Sequence, residues 1–345
     1  MFGREWEIGE FITSYFEGEE VEKQKVDGLP PNIIIRHEVD ERRPTILLNG
    51  HMDTVEVSFD WTKGPFSASI ESGCLYGLGA ADMKGGLAAI MDAFKSVSSP
   101  RSNVVFSAVV DEEGVSTGTH AFLGEVRADV AIVAEPTDEK LILGSRGRYA
   151  LDVELFGKRS HGSSPDSGVN AISDMAKVLD VLKEIEFGSH EKLGKASIAP
   201  LKISGGGDSL SVPEYCRLLV DRHVVPGEEK EKIIEGFKRR IGSLGLRSRV
   251  KVSWMKRSTP FLEPYIMERK NEHVERFIQI YEEHFGREPK IGYASGPGDY
   301  NVFARRMPTL VFGPAGENWH RPDEYVDIES LRRCRDFYVH LLESF

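Results

Sequence analysis

Short apolar segments recur along this chain between stretches of helical periodicity, and they limit the folds that it can adopt. Each has four to seven residues, the length of a buried strand and too short for a buried helix. The segments are 32–36, 45–49, 104–110, 130–134 and 309–312. Helical patterns lie at 5–16, 87–97, 271–284 and from Ile328 onward. This alternation predicts an α/β fold, a mixed sheet with helices on both faces.

The segment 149–258 has a different order of elements. It contains a strand at 149–156, a helix at 169–185, strands at 196–204 and 214–224, a helix at 228–241 and a strand at 249–254. This β-α-β-β-α-β order is typical of a ferredoxin-like α+β unit. A chain of 345 residues also exceeds the size at which one core usually keeps growing. We therefore predict a domain at 149–258 inserted into a host domain formed by 1–148 and 259–345.

Composition and charge argue against several classes of function. The formal net charge is -11 and Lys and Arg form no long run, so neither nucleic acid nor a membrane surface is an expected partner. No segment approaches the roughly 20 apolar residues of a spanning helix, and no apolar signal core lies near the first residues. The three cysteines lack the spacing of a disulfide framework or a zinc knuckle. These properties predict a cytoplasmic protein.

Carboxylates and histidines directly follow the apolar segments. They are His51 and Asp53 after 45–49, Asp111, Glu112 and Glu113 after 104–110, Glu135 after 130–134, and His320 in the loop after 309–312. A further acid, Asp82, lies in the glycine-rich loop before helix 87–97. Open α/β sheets place ligands at the carboxyl ends of their strands, so we expect these side chains to gather. Two histidines with only three of these carboxylates already exceed the needs of one tetrahedral zinc and suit two ions that share a carboxylate.

Each of these features also has an ordinary structural explanation when it is taken alone. Asp82 is suited to cap the following helix, and the three acids at 111–113 are suited to a solvated loop. The glycine-rich loop resembles a phosphate-binding loop, but Lys84 is not followed by Ser or Thr. Against the solvated loop, adjacent like charges are costly unless a cation or a proton relieves them. The recurrence at separate strand ends therefore favours a metal site.

Five motifs together resemble the M20 metallopeptidase family, in particular its branch of acetylornithine deacetylase, acetyl-lysine deacetylase, succinyl-diaminopimelate desuccinylase and carboxypeptidase G2-like enzymes. The motifs are GHMDTV at 50–55, GAADMKGG at 79–86, DEE at 111–113, EPT at 135–137 and HRPDEY at 320–325. The resemblance spans nearly the whole chain. It implies a zinc-exopeptidase-like catalytic domain with an inserted lid and dimerisation domain, and hence a homodimer formed through the lid.

The resemblance also implies a role for each residue of the expected metal site. One ion would be bound by His51 and Glu135, the second by Glu113 and His320, and both by Asp82. Asp53 would orient His51, and Glu112 would act as the general base that takes a proton from water and delivers it to the leaving amine. Zinc is the expected metal, and cobalt and manganese suit the same ligands.

Further motifs resemble the family's lid and substrate contacts. RSHGSSP at 159–165 resembles the lid motif whose histidine, here His161, stabilises the oxyanion in the partner subunit's site. In DRHVVP at 221–226, Arg222 would bind the substrate's carboxylate, with a surface salt bridge as the alternative. Gly296 and Gly298 resemble the loop that holds the same carboxylate. Trp319 is bulkier than the residue that usually stands beside the metal-binding histidine.

The function implied by the resemblance is the hydrolysis of an amide bond in an N-acyl amino acid or a short peptide with a free carboxylate. The chain would thus be a metal-dependent amidohydrolase with a small-molecule substrate. Two alternatives remain open: a carboxypeptidase or dipeptidase of the same family, and a metal-binding homologue without catalytic activity. A nucleotide-dependent enzyme is a third alternative that rests on the glycine-rich loop alone.

Overall fold

The computed structural model describes residues 5–207 and 209–345. The chain divides into two compact units. Unit 1 comprises the described part of Met1–Gly144 together with Ile266–Ala294 and Gly298–Phe345, and unit 2 comprises Ser145–Tyr265 and Ser295–Pro297. Within these residues, no helix combines the length and the apolar character needed to cross a membrane.

In the described residues, unit 1 contains six α-helices and most of a large sheet. Its helices are α1 (Glu5–Tyr15), α2 (Gly86–Ser96), α3 (Thr117–Leu123), α6 (Glu272–Phe285), α7 (Asp299–Phe303) and α8 (Ile328–Ser344). Its strands are β1 (Val21–Gln24), β2 (Asn32–His37), β3 (Thr45–His51), β4 (Ser69–Glu71), β5 (Cys74–Tyr76), β6 (Asn103–Val109), β7 (Val130–Val133), β16 (Ile291–Ala294), β17 (Thr309–Val311), β18 (Gly316–Glu317) and β19 (Tyr325–Asp327). Strands β8 (Leu141–Ser145) and β15 (Tyr265–Ile266) carry the chain between the units.

The large sheet has the strand order β1-β2-β6-β3-β7-β17-β8-β15, and β16 pairs with β8. Its centre is parallel: β3 pairs with β6 and β7, and β17 pairs with β7. In this register His51 lies opposite Val109, while Asn49 and Val311 lie opposite Val133. The carboxyl ends of these four strands therefore meet at one edge of the sheet.

The central strands are buried along their length, which explains why their sequences lack alternation. All seven residues of β6 and all four of β7 are buried, as expected for a sheet covered on both faces. Helix α2 packs against α8 and also contacts β3 and β6. The α/β class predicted from the apolar segments is confirmed. The small sheet β18-β19-β5-β4 was not predicted, because its two- and three-residue strands carry no measurable periodicity.

Unit 2 is a ferredoxin-like α+β unit. Its elements are β9 (Gly147–Phe156), α4 (Ala171–Leu182), β10 (Ser189–His190), β11 (Gly194–Lys195), β12 (Ser197–Gly205), β13 (Tyr215–Val224), α5 (Lys230–Gly242) and β14 (Arg249–Trp254). The antiparallel order is β12-β13-β9-β14, and β10 and β11 form a separate hairpin. One core joins β9 to both helices through residues such as Val153, Met175 and Phe237. The predicted β-α-β-β-α-β order is confirmed.

Helix α4 begins two residues later than its apolar periodicity predicts. The side chain of Asn170 accepts hydrogen bonds from the backbone N–H groups of Ile172 and Ser173, at 3.0 and 3.1 Å. Asn170 is thus the N-cap, and Val169 instead pairs with Lys158. The capping side chain, rather than the apolar pattern, sets the start of this helix.

Candidate metal centre

The strand-end residues of the central sheet surround Asp82. Its Oδ1 atom lies 3.2 Å from His51 Nε2, and its Oδ2 atom lies 3.3 Å from His320 Nε2. Glu135 Oε1 lies 3.7 Å from His51 Nε2, and Glu113 Oε1 lies 3.0 Å from His320 Nε2. The two oxygens of one carboxylate therefore face two histidines, and each histidine has a second carboxylate beside it.

Three groups of side chains in the described residues have donor atoms within 4.8 Å of one another. They are His51 with Asp82 and Glu135, His51 with Glu112 and Glu113, and Asp82 with Glu113 and His320. The first and third groups share Asp82. All five residues that the sequence marked as metal ligands thus belong to this one cluster, which we call the strand-end cluster.

Asp53 connects the end of β3 to the loop after β6. Its carboxylate accepts hydrogen bonds from the backbone N–H groups of Glu112 and Glu113, at 3.2 and 3.0 Å. The Nδ1 atom of His51 lies 3.0 Å from the backbone oxygen of Asp53 and 3.6 Å from its carboxylate oxygen Oδ1. The backbone oxygen and the Oδ1 atom of Asp53 therefore both lie near Nδ1 of His51, and the other ring nitrogen, Nε2, faces the cluster.

The glycine-rich loop is held by a buried acid, Glu324, for which the sequence suggested no role. Its carboxylate accepts hydrogen bonds from the backbone N–H groups of Gly79, Ala81 and Asp82, at 2.8, 3.0 and 2.9 Å. The Asp82–Met83 peptide bond is cis. Glu324 lies in the same motif as His320, at 320–325. Its short distance along the sequence from a predicted metal ligand was the one signal that could have suggested a role at the site. This one side chain fixes the backbone from which Asp82 projects.

Gly86 explains why small residues are needed at the start of α2. A Cβ atom at this position would lie 1.7 Å from the backbone oxygen of Ala134. The residue after Ala134 is Glu135, so α2 and the end of β7 can approach only without a side chain at Gly86. The close packing brings the Asp82 loop beside Glu135.

Asp111 is turned away from the strand-end cluster. Its Oδ2 atom accepts hydrogen bonds from the backbone N–H and the hydroxyl of Thr117, at 3.1 and 2.5 Å. Its backbone oxygen accepts the N–H group of Ser116 at 2.7 Å. Of the three consecutive acids, Asp111 therefore shapes the loop, while Glu112 and Glu113 have donor atoms in the cluster.

The electrostatics of the cluster show strong competition for protons. Burial disfavours a charged imidazole at His51, but hydrogen bonds with Asp53 and Asp82 outweigh it and raise its pKa well above the ordinary value. Hydrogen bonds with Asp82 and Glu113 raise the pKa of His320 to about 10. Burial and the charge of Asp82 raise the pKa of Glu135 well above its usual range. The acids that face one another therefore need positive charge beside them.

Glu112 lies against the backbone at Gly298. A Cβ atom on Gly298 would lie 2.8 Å from Glu112 Oε1. Burial is the main reason that the pKa of Glu112 is raised well above its ordinary value, and the charges of Glu113 and Asp299 add to it, although His51 lowers it. A carboxylate in such surroundings takes up a proton more readily than a free one.

The cluster is open on one side. The side chain of His320 is 53% exposed, while those of Asp82, Glu113, Glu135 and His51 are 17% exposed or less. Trp319, next to His320, is also exposed, and its Nε1 donates a hydrogen bond to the backbone oxygen of Gly316 at 3.1 Å. A small molecule can therefore approach the cluster from the side of His320.

The remaining predicted residues have the following surroundings. In unit 2, His161 is exposed, and its Nδ1 lies 2.8 Å from Ser163 Oγ. Arg222 is buried: its guanidinium pairs with Glu228, donates to the backbone oxygen of Ser197 at 3.1 Å and stacks on Phe187. A substrate carboxylate at Arg222 would therefore have to displace Glu228.

The two glycines expected at the substrate carboxylate lie in different units. Gly296, in unit 2, accepts a hydrogen bond from the hydroxyl of Ser145 at 2.8 Å through its backbone oxygen. Gly298, in unit 1, donates its N–H to Asn301 Oδ1 at 3.0 Å. The N–H of Gly298 is thus engaged within the protein, and its role toward a substrate stays a prediction.

Comparison with known proteins agrees with the motifs. Residues 47–344 match the profile of peptidase family M20/M25/M40. An acetylornithine deacetylase from Erwinia tasmaniensis is 30% identical over 317 residues, which cover 87% of this chain and 80% of that protein. A succinyl-diaminopimelate desuccinylase from Cereibacter sphaeroides is 26% identical over 336 residues, 91% of this chain and 87% of that protein.

Solved structures agree on the fold. An M20 family metallo-carboxypeptidase from Sulfolobus solfataricus superimposes with a TM-score of 0.77 at 19% identity, over 98% of this chain and 92% of its own. A di-peptidase from Saccharomyces cerevisiae gives a TM-score of 0.79 at 16% identity, over 99% of this chain and 90% of its own. The fold inferred from the motifs is confirmed. Since the family profile covers most of the chain, strand-end acids included, this protein is a hydrolase of the M20/M25/M40 peptidase family.

Proposed function

We propose that the chain is a two-metal hydrolase that cleaves an amide bond in an N-acyl amino acid or a short peptide with a free carboxylate. The observation that carries the proposal is the position of Asp82, whose two oxygens face His51 and His320 separately. A carboxylate that is shared in this way suits two neighbouring cations. One ion would be held by His51, Asp82 and Glu135, and the other by Asp82, Glu113 and His320.

The donor set fits divalent transition metals. It combines two imidazole nitrogens with three carboxylates, and this mixture of nitrogen and oxygen ligands suits zinc, with cobalt and manganese as alternatives. Hydrogen bonds with the surrounding carboxylates raise the pKa values of His51 and His320, and burial together with the charge of Asp82 raises that of Glu135, so all three groups hold protons beside negative charge. When His51, His320 and Glu135 bind metal cations, they would release these protons.

Within such a site, the chain's own residues divide the work. When bound, divalent ions polarise a carbonyl group and lower the pKa of water. Glu112 accepts the proton from the attacking water and delivers it to the amide nitrogen as the C–N bond breaks. Asp53 contacts the ring of His51 and accepts the backbone N–H of Glu112. It therefore fixes the position of the proposed base, Glu112, relative to the proposed metal ligand, His51.

We further propose that unit 2 serves as a lid and dimerisation domain and that the chain works as a homodimer. Strand β12 is at the edge of its sheet, and Leu201 and Ile203 on it are both 52% exposed. An exposed apolar edge strand favours pairing with another chain. His161, exposed on the same unit, would then donate a hydrogen bond to the oxyanion in the partner subunit's site. Sedimentation of the purified protein tests the dimer directly.

The names of two similar proteins, acetylornithine deacetylase and succinyl-diaminopimelate desuccinylase, favour the hypothesis of a deacylase over that of a peptidase. The test is release of free amine from a panel of N-acetyl amino acids, N-succinyl amino acids and dipeptides, with and without a chelator. We expect turnover of acylated amino acids that stops with the chelator and returns with zinc, cobalt or manganese. Turnover of dipeptides without turnover of acylated amino acids would show that the chain is a dipeptidase and not a deacylase.

A catalytically silent metal-binding protein is the remaining alternative. Turnover, and not metal content, distinguishes it from an active hydrolase, since both would bind two ions per chain. Two bound ions without turnover of any member of the panel would favour the silent protein. Absence of bound divalent metal after saturation would overturn the metal site itself.

A further inference from the structure

Asp299 is a buried carboxyl group to which the proposed mechanism gives no role. It is the first residue of α7 and is 1% exposed. Within residues 5–207 and 209–345, no short and well-aligned hydrogen bond reaches either of its carboxyl oxygens. A carboxyl group removed from water in this way destabilises a fold. Its presence therefore points to a role in the site rather than in stability.

The start of α7 lies directly against the proposed base. Because a Cβ atom at Gly298 would stand 2.8 Å from Glu112 Oε1, the carboxylate of Glu112 packs on the residue that precedes Asp299. After burial, the charges that raise the pKa of Glu112 include that of Asp299. The two acidic groups are thus close enough to influence each other.

Asp299 also faces the segment that carries Glu112. Burial raises the pKa of Asp299 to about 7, while the hydroxyl groups of Thr119 and Ser116 lower it. Ser116 closes the loop that begins at Asp111, since its N–H group donates to the backbone oxygen of Asp111 at 2.7 Å. Polar groups of the Glu112 loop and of α3 therefore face the Asp299 carboxyl.

Helix α7 is a firm support for such a contact. The rings of Phe122 on α3 and Phe303 on α7 are 6.3 Å apart and nearly perpendicular. Arg306, just after α7, donates a hydrogen bond to the backbone oxygen of Leu123 at 2.7 Å. Since α7 is fixed to α3 by these contacts, Asp299 has a constant position relative to the loop 111–117.

We propose that Asp299 is a positioning residue for Glu112. Its buried carboxyl group, which faces the hydroxyl groups of Ser116 in the loop 111–117 and of Thr119 on α3, sets the direction of the Glu112 carboxylate against Gly298. This inference rests on the proposed function, because it takes Glu112 as the base. A base displaced by a fraction of an ångström slows proton transfer but leaves substrate binding intact, so kcat should change while KM does not.

The test compares Asp299→Asn with a matched control in unit 2, Asp174→Asn. Asp174 is also buried, and its carboxylate accepts the N–H group of Ser248 at 2.8 Å. We expect kcat of Asp299→Asn to fall by about 10- to 100-fold, the scale that a small misplacement causes, with unchanged KM and metal content. Asp174→Asn should keep the parent's kcat. An Asp299→Asn enzyme with the parent's kcat would overturn the inference.

A double-mutant cycle separates positioning from a general structural effect. In a Glu112→Gln background, Asp299→Asn should cause no further loss of residual activity, because the base that it positions is already gone. Full additivity of the two losses would contradict the inference. Thr119→Val, which removes a hydroxyl facing Asp299, should lower kcat several-fold and carries the test if Asp299→Asn does not fold.

Hydrogen exchange of the metal-free protein supplies a readout that does not need activity. We expect faster exchange at the backbone N–H groups of 111–117 in Asp299→Asn and unchanged exchange there in Asp174→Asn. Unchanged exchange in both variants would count against the inference. A parent protein that hydrolyses no substrate of the panel would overturn the proposed function and this inference with it, whereas an active parent with an equally active Asp299→Asn variant would overturn this inference alone.

Discussion

Carboxylates are neutralised differently in unit 2 and in the strand-end cluster of unit 1. In unit 2 they face cations of the protein itself: Asp152 binds Arg217 at 2.7 Å, and Asp221 binds Arg148 at 2.9 Å. In the strand-end cluster of unit 1, Asp82, Glu113 and Glu135 face imidazole rings and one another. The first arrangement is complete without a ligand, whereas the second gathers more negative charge than its neighbours balance. Acids that meet other acids are thus a better guide to a metal site than acids as such.

Among the substitutions in the strand-end cluster, Asp82→Asn should cause the largest loss of metal and activity. The change removes the negative charge that both proposed ions would share, so metal content should fall and activity should drop by far more than the roughly 10- to 100-fold that loss of an outer-shell partner causes. Amine release and metal content of the purified variant measure the two effects. Asp152→Asn in unit 2 is the control and should leave both unchanged. Equal losses in the two variants would remove the distinction between the two kinds of acid.

Glu112→Gln should separate catalysis from metal binding. The amide has nearly the shape of the carboxyl group but cannot accept the proton, so kcat should fall by about 100- to 10,000-fold while two ions stay bound. The measurement is kcat together with metal content. Glu154→Gln in unit 2, where the carboxylate pairs with Lys251, is the matched control. A Glu112→Gln enzyme with near-normal kcat would show that another group is the base.

Asp53→Asn should give a smaller loss. An amide at this position can accept one N–H group but would no longer bring a negative charge to His51 or accept both N–H groups of Glu112 and Glu113. We expect activity or metal affinity to fall by about 10- to 100-fold, and titration of the metal-free protein with zinc measures the affinity. A variant with unchanged affinity and unchanged kcat would reduce Asp53 to a structural residue.

The apolar segments predicted the central strands well because burial on both faces leaves little freedom in sequence. They also predicted where the ligands meet, since parallel neighbours end at one edge. Capping at Asn170 and the short strands of the small sheet were not predicted, because single side chains and long-range pairing decide them.

Roles that depend on the approach of distant segments were also beyond the sequence. Glu324 lies far along the chain from Gly79 and Asp82, and only the folded chain brings its carboxylate to their N–H groups. The same holds for Arg222. The motif around it fits a substrate contact or a salt bridge equally well, and its burial beside Glu228 is a property of the folded chain. Spacing identifies ligands at strand ends, but not the partners that hold them.

In the metal-free protein, the buried acids near the strand-end cluster and the paired acids of unit 2 should change the stability of the fold in opposite directions as pH rises. Burial raises the pKa values of Glu112, Glu135 and Asp299, that of Asp299 to about 7. The folded chain then binds these protons more tightly than the unfolded chain, so the stability that they supply is complete below the ordinary carboxyl pKa. It is lost as pH rises through the raised pKa values, that of Asp299 being about 7. For Asp174, burial is outweighed by hydrogen bonds from Lys177 and Ser248, which lower its pKa, so its contribution is lost only in acid.

Unfolding by urea in the presence of chelator, at about pH 5.5 and pH 8.5, tests this expectation. The midpoint should be lower at the higher pH, with a free-energy difference on the order of a few kcal/mol. Glu135→Gln should reduce the difference, and Asp174→Asn should not. Zinc should reverse the trend, because the ligands bind the metal in their deprotonated forms. A metal-free protein that is more stable at pH 8.5 than at pH 5.5 would mean that the acids at the strand ends are already neutralised, as those of unit 2 are.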